Sequence, residues 1–266
     1  MNIVKGHAYG NDFLLVPEGE AAGDLPSLAR AMCHRHTGVG ADGVVLYTLR
    51  DRGATMRLLN ADGSWSELSG NGLRCLAALV ARVRGLRPGT SIAVESEAGL
   101  KTLEFLNQDG PRYQFRADMG QPTDIRQVEI PVLGDTIVAT VLRTGNPQCV
   151  VLGPLPSSER FTALGAALST HPMFPAGTNV EFAQVEAPDR VRILIWERGV
   201  GPTSSSGTGS TASAVAAAAH GGAARAADVV APGGVQHVEW TESAAYLTGW
   251  AELVMDGRWL GEGGAR

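Results

Sequence analysis

The chain has 266 residues, 44% of them apolar and 18% charged, with a formal net charge of −5. This length suffices for one large domain or two ordinary ones, and the composition is that of a folded protein rather than a disordered one. The acidic balance excludes a basic footprint for nucleic acid, and no run reaches the ~18 apolar residues of a membrane helix.

In chain order, residues 2–5 and 12–16 read as strands around a turn-like segment, 6–11. Residues 25–35 have helical spacing through Leu25, Leu28, Ala29 and Met32, with Asp24 as N-cap and Pro26 in the first turn. Strands at 43–49 and 54–60 lead to a helix over 70–84, whose Leu73, Leu76, Ala77 and Val80 form an apolar face. Alternating runs follow at 91–95, 102–106 and 113–119.

The pattern restarts near Gly120-Gln121-Pro122. Strands are expected at 137–143 and 149–152, a helix at 161–168, strands at 179–185 and 191–197, and a helix at 211–219. The helices at 70–83 and 211–219 are so poor in charge that they should be buried on most sides. The expected fold is α/β (α+β), with two pseudo-symmetric lobes, each a curled, mostly antiparallel sheet around a central helix. The lobes are placed at 1–118 and 119–250, with a C-terminal strand of about 251–266 returning to the first.

Internal duplication supports this division. Ser69-Gly70-Asn71-Gly72 and Ser206-Gly207-Thr208-Gly209 share one design, and Asn60 stands as far before Ser69 as Glu197 does before Ser206. Gly10-Asn11 matches Gly145-Asn146, and Gly40-Ala41-Asp42 matches Gly177-Thr178-Asn179, at nearly the same offset. The first N–H groups of a helix lack intrahelical partners and carry the positive end of its dipole. Two such glycine-opened ends would cradle a carboxylate or phosphate held between two half-sites. The plain alternative for each serine is an ordinary N-cap.

With these motifs in order from Gly6 to about Gly209, the chain resembles the diaminopimelate epimerase family. The resemblance is carried by Gly10-Asn11-Asp12-Phe13, the run from His36 to Gly43, Asn60-Ala61-Asp62-Gly63-Ser64 and Gly70-Asn71-Gly72-Leu73-Arg74-Cys75. Gly145-Asn146-Pro147, Thr178-Asn179-Val180 and Glu197-Arg198-Gly199-Val200-Gly201 extend it. It implies a cytoplasmic, cofactor-independent isomerase of lysine biosynthesis, acting on a small amino acid or carboxylate without metal, nucleic acid or membrane, and it allows a homodimer. The implied binding set is Asn11, Asn60, Asn146, Asn179, Glu197 and Arg198, with Gly70, Asn71, Gly207 and Thr208 as the backbone cradle.

The resemblance also implies a pair of cysteines flanking the α-carbon, and here the chain departs from it. Ser69 and Ser206 occupy the two cysteine positions, Gln148 stands where the family has histidine, and Pro202 where it has glutamate. A serine hydroxyl is not ionised as a thiol is and needs a neighbouring base. Asp42 and Glu197 are the candidate carboxylates, as in the related phenazine-biosynthesis isomerases, which work without cysteines. Asp42 could instead fix a turn, and Glu67 is expected to be solvated. Cys75 and Cys149 should point away from the ligand, and His7 is expected to pack rather than to act as a base. Cys33, Cys75 and Cys149 have no Cys-x-x-Cys spacing, which argues against disulfides and zinc. Three outcomes stay open: an isomerase with Ser69 and Ser206 beside the reacting carbon, a lyase or dehydratase, or a binding protein that kept the cradle and lost the chemistry.

Overall fold

The computed structural model describes residues 1–66 and 69–261, which divide into two compact units at Ala117/Asp118 and Thr248/Gly249. The first unit begins with β1 (Asn2–Ala8), β2 (Asn11–Pro17), α1 (Leu25–Cys33), β3 (Gly43–Arg50) and β4 (Gly53–Asn60). It continues with β5 (Trp65–Ser66), α2 (Gly70–Arg84), β6 (Ser91–Ser96), β7 (Gly99–Asp109) and β8 (Arg112–Asp118). β1 and β2 pair antiparallel, β2 and β3 parallel, β3 and β4 antiparallel, and β4 and β6 parallel. β6, β7 and β8 continue antiparallel. The last strand of the chain pairs with both β1 and β8 and closes the sheet into a ring.

Helix α2 fills that ring. Every residue from Asn71 to Ala81 is buried. The alanines and leucines suit a helix interior, and Gly85 ends it in the left-handed conformation at φ 58°. Strand β2 is apolar on both faces because both are covered. Phe13 and Leu15 join the α2 core, whereas Leu14 and Val16 pack with Leu28, Ala29 and Met32 of α1. Leu76→Ala, at a site with no exposure, should cost about 2–5 kcal/mol. Urea denaturation at pH 7 measures the loss directly.

The second unit repeats the recipe. Its elements are β9 (Thr123–Val132), β10 (Asp135–Thr144), β11 (Asn146–Leu152), α3 (Ser158–Ser169), β12 (Asn179–Ala187) and β13 (Arg190–Glu197). Then follow β14 (Gly201–Thr203), α4 (Gly207–Ala216), β15 (Ala226–Ala231), β16 (Gly234–Trp240) and β17 (Ala245–Arg258). The antiparallel β10–β11, parallel β11–β12, antiparallel β12–β13 and parallel β13–β15 pairings match those of the first unit one for one. Helix α4 is buried from Gly209 to Ala216 and occupies the place of α2. Residues 245–248 of β17 pair with β16, and residues 252–258 pair with β1. Each unit is a curled, mostly antiparallel sheet around one central helix, as the sequence predicts.

Several elements differ from expectation. Helix α4 begins at Gly207 rather than Thr211, because packing overrides the poor helix propensity of its Gly-Thr-Gly-Ser start. Strand β1 runs on through Ala8, and the turn to β2 shrinks to Tyr9-Gly10, both at positive φ (56° and 86°). The unexpected Tyr9 conformation is held by its hydroxyl, which accepts the Trp250 N–H at 3.1 Å. Strand β9 went unpredicted because most of its residues are solvent-facing and show little apolar alternation. The two- and three-residue strands β5 and β14 are too short to carry a period.

Candidate active site in two half-sites

In the first unit, Ser69 caps α2. Its Oγ accepts the Gly72 N–H at 3.2 Å, while the N–H groups of Gly70 and Asn71 lie before the first intrahelical bond. The Asn71 side chain is fixed from two sides: Nδ2 donates to Asn11 Oδ1 at 3.1 Å, and Oδ1 accepts from the buried Arg74 guanidinium. Asn11 donates in turn to Asp42 Oδ2 at 2.8 Å. Asp42 also accepts the Asp12 N–H at 3.1 Å and pairs with Arg35 at 2.8 Å. Its oxygens are thus hydrogen-bonded and ion-paired within this turn. Asn60 ends β4 on the surface, with Nδ2 donating to Ser64 Oγ at 2.9 Å. Glu67 lies outside the described residues.

Asp12 underpins the same cluster through Lys5 at 3.0 Å and Arg35 at 2.9 Å. Burial works against its charge, but the Arg35 and Lys5 hydrogen bonds outweigh burial and hold Asp12 below the usual carboxylate range. A lowered folded-state value stabilises the protein above the ordinary Asp range, and that stability is lost as pH falls through the folded value. Asp12→Asn should therefore flatten the decline of Tm below about pH 4, measured against wild type in parallel melts.

The second unit repeats the arrangement. Ser206 caps α4, with Oγ accepting the Gly209 N–H at 3.1 Å and lying 3.4 Å from Thr208 Oγ1. The N–H groups of Gly207 and Thr208 occupy the same position as those of Gly70 and Asn71. Asn146 follows Gly145 (φ 85°) at the start of β11, and Asn179 starts β12. Asn179 Oδ1 accepts the Arg198 N–H at 2.9 Å, and Arg198 Nη1 donates to the Ala176 carbonyl at 2.7 Å. Both serines are thus N-caps, and each cap sits beside a glycine-opened cradle.

Glu197 ends β13 half-buried. Burial raises its carboxyl above the usual range. Among the described residues no cation or hydrogen-bond donor holds it. Of the two candidate carboxylates, Asp42 is tied and Glu197 has no partner among the described residues. Sequence reasoning missed two further ionisable groups, the wholly buried Arg74 and Glu181. Arg74 belongs to a motif that carries the resemblance, and for Glu181 the signal was a charge inside an otherwise apolar strand.

None of the three cysteines is poised to react. Cys33, Cys75 and Cys149 are free and buried, and burial pushes each thiol up to about 12. His7 packs edge-on against Trp250 and accepts the Gly10 N–H at 3.3 Å, as expected of a structural histidine. No cluster of metal-binding side chains occurs among the described residues, and no helix among them is long and apolar enough to cross a membrane.

Known proteins resemble this chain over nearly its whole length. The diaminopimelate epimerase family model matches residues 3–125 and 140–254. The chain belongs to the diaminopimelate epimerase family. A diaminopimelate epimerase of Desulforudis audaxviator is 44% identical, over 98% of this chain and 99% of its own length. That of Desulfitobacterium hafniense is 39% identical over 97% of each. A predicted epimerase of Pseudomonas aeruginosa, 15% identical, has the same fold with a TM-score of 0.73 over 98% of this chain and 99% of its own. By family the chain is therefore an isomerase of the amino-acid epimerase type.

Proposed function

We propose that this protein is a cofactor-independent epimerase acting at the α-carbon of diaminopimelate or a closely related amino acid. The observation that carries this reading is the full-length family match together with two helix N-termini of one design, Ser69-Gly70-Asn71 and Ser206-Gly207-Thr208. The free N–H groups of these turns bind the α-carboxylate. Asn60, Asn146, Asn179 and Arg198 read the distal end of the substrate, and Asn11 orients Asn71. Ser69 and Ser206 flank the reacting carbon, and Glu197 supplies the proton acceptor that a serine lacks. Asp42 holds the Asn11 turn.

The three unpaired cysteines suit a reducing cytoplasm. A two-fold dimer, the commonest arrangement of soluble oligomers, completes the proposal and is checked by sedimentation velocity.

Incubation with LL-diaminopimelate in D₂O tests the reaction. Deuterium uptake at Cα with inversion supports the epimerase. Loss of water would indicate a lyase. Tight binding without exchange would indicate a homologue that kept the cradle alone, a reading favoured by the serines at both thiol positions. Arg198→Ala should weaken diaminopimelate binding by ~2–5 kcal/mol if the arginine pairs with a buried substrate carboxylate. An unchanged Kd by calorimetry removes Arg198 from the binding set.

A further inference from the structure

Glu181 stands on β12 with no exposed surface and no cation beside it among the described residues. A β-carbon on Gly209 of α4 would lie 2.6 Å from Glu181 Oε1, so the helix admits the carboxyl only because it has glycine there. One end of the Gln148 amide lies 3.1 and 3.3 Å from the two Glu181 oxygens. The other end lies 2.6 Å from Asn146 Oδ1 and 3.3 Å from Thr208 Oγ1. With Gln148 Nε2 donating to Asn146, the Gln148 carbonyl faces Glu181. An ionised Glu181 would set acceptor against acceptor. A proton on Glu181 removes the conflict, because its O–H then donates to Gln148 Oε1.

We propose that Glu181 is a positioning residue, a buried neutral acid that fixes, through Gln148, which edge of the Asn146 amide is offered to the substrate. In this state Asn146 Oδ1 is engaged by Gln148, and Asn146 Nδ2 has no partner among the described residues. The Nδ2 group is therefore free to donate to a carboxylate. The inference rests on Asn146 belonging to the binding set proposed above.

The surroundings favour the neutral form. A buried carboxylate with no cation beside it among the described residues is costly even when a neutral amide donates to it. Glu197, on the adjacent β13, adds like-charge repulsion. Cys149 on β11 stays a neutral thiol, and α4 carries no ionisable side chain. Ionisation would turn Gln148 so that its NH₂ faces the carboxylate. Its carbonyl would then require the Asn146 NH₂, and the two amides would rotate together. Asn146 would be left with an acceptor edge, suited to ammonium rather than carboxylate.

NMR of protein carrying ¹³C-labelled glutamate and ¹⁵N-labelled side-chain amides tests this, with Glu181→Gln assigning the Glu181 signal by difference. The Glu181 carboxyl should remain neutral at pH 7. On alkaline titration, the Gln148 and Asn146 amide signals should move together with it, and they should stay fixed in Glu181→Gln. A carboxyl ionised at pH 7, or the same amide shifts persisting in Glu181→Gln, overturns the proposal.

Calorimetry with LL-diaminopimelate gives a second readout. Glu181→Gln, whose amide can donate as the acid does, should bind as wild type does. Glu181→Ala leaves Gln148 Oε1 unpaired and should weaken binding ~10-fold or more, with folding checked by thermal melts. Equal weakening by both variants overturns the positioning role. If wild type binds no diaminopimelate, the proposed function fails, while the titration still decides the state of Glu181.

Discussion

Replacing Ser69 and Ser206 together with cysteine should raise diaminopimelate epimerisation by ~10²–10⁴-fold, the usual contribution of a positioned acid–base pair. A thiol at a helix N-terminus titrates at ~3.5–7.5, so a thiolate is available at neutral pH, whereas a serine hydroxyl stays protonated. Both positions are N-caps of buried helices, with Oγ accepting the Gly72 N–H at 3.2 Å and the Gly209 N–H at 3.1 Å. A sulfur caps less well, so the same substitution should lower stability by ~0.5–2 kcal/mol per helix. A gain in rate beside a loss of Tm would show the exchanged groups acting on the substrate rather than tightening the fold. The decisive reading is the initial rate of Cα deuterium uptake. A double variant that binds diaminopimelate yet stays at the wild-type rate would mean that Gln148 and Pro202 have altered the site beyond rescue by thiols.

Glu197→Gln should lower Cα exchange in the serine protein by ~10²–10⁴-fold. Among the carboxylates weighed, Asp42 is bound by Arg35, Asn11 and the Asp12 N–H, and Glu181 is sealed in the core. Glu197 is half-buried and unheld, and its raised value brings it nearer to the working pH and makes it a stronger base than an exposed glutamate. The ionised form is the active one, so the rate should rise with pH through the folded-state value of Glu197, above the ordinary Glu range. That rise should vanish in Glu197→Gln. A Glu197→Gln protein with wild-type kcat/KM and the same pH profile would remove Glu197 from the chemistry.

The two serine-capped helix starts were legible because duplication wrote the same glycine–serine turns twice, and because such turns have a local physical meaning at a helix start. The central helices were equally legible: α4 carries no ionisable side chain and the charges exposed on α2 are confined to its last turn, so the rest of each helix has no polar face and has to be enclosed. Which carboxylate is free was not legible. Asp42 and Glu197 look alike as letters, yet Arg35, seven residues before Asp42 in a different turn, takes one of them out of use. Nothing in the chain order marks Glu181 as a neighbour of Gln148, because the parallel β11–β12 pairing that aligns Gln148 with Asn179 spans a whole helix and two loops.

The sequence by itself therefore determined the family, the doubled α/β recipe and the two capped helix starts. Each of these depends on spacing within a short segment, where backbone geometry follows from local residue types. Only the tertiary structure decided the charge states and hydrogen-bond partners: Asp12 held ionised by Lys5 and Arg35, Asp42 tied to its turn, and Glu197 left without a partner among the described residues. Charge and hydrogen bonding depend on which groups meet across the sheet and how far water is excluded, and those are properties of packing rather than of sequence order.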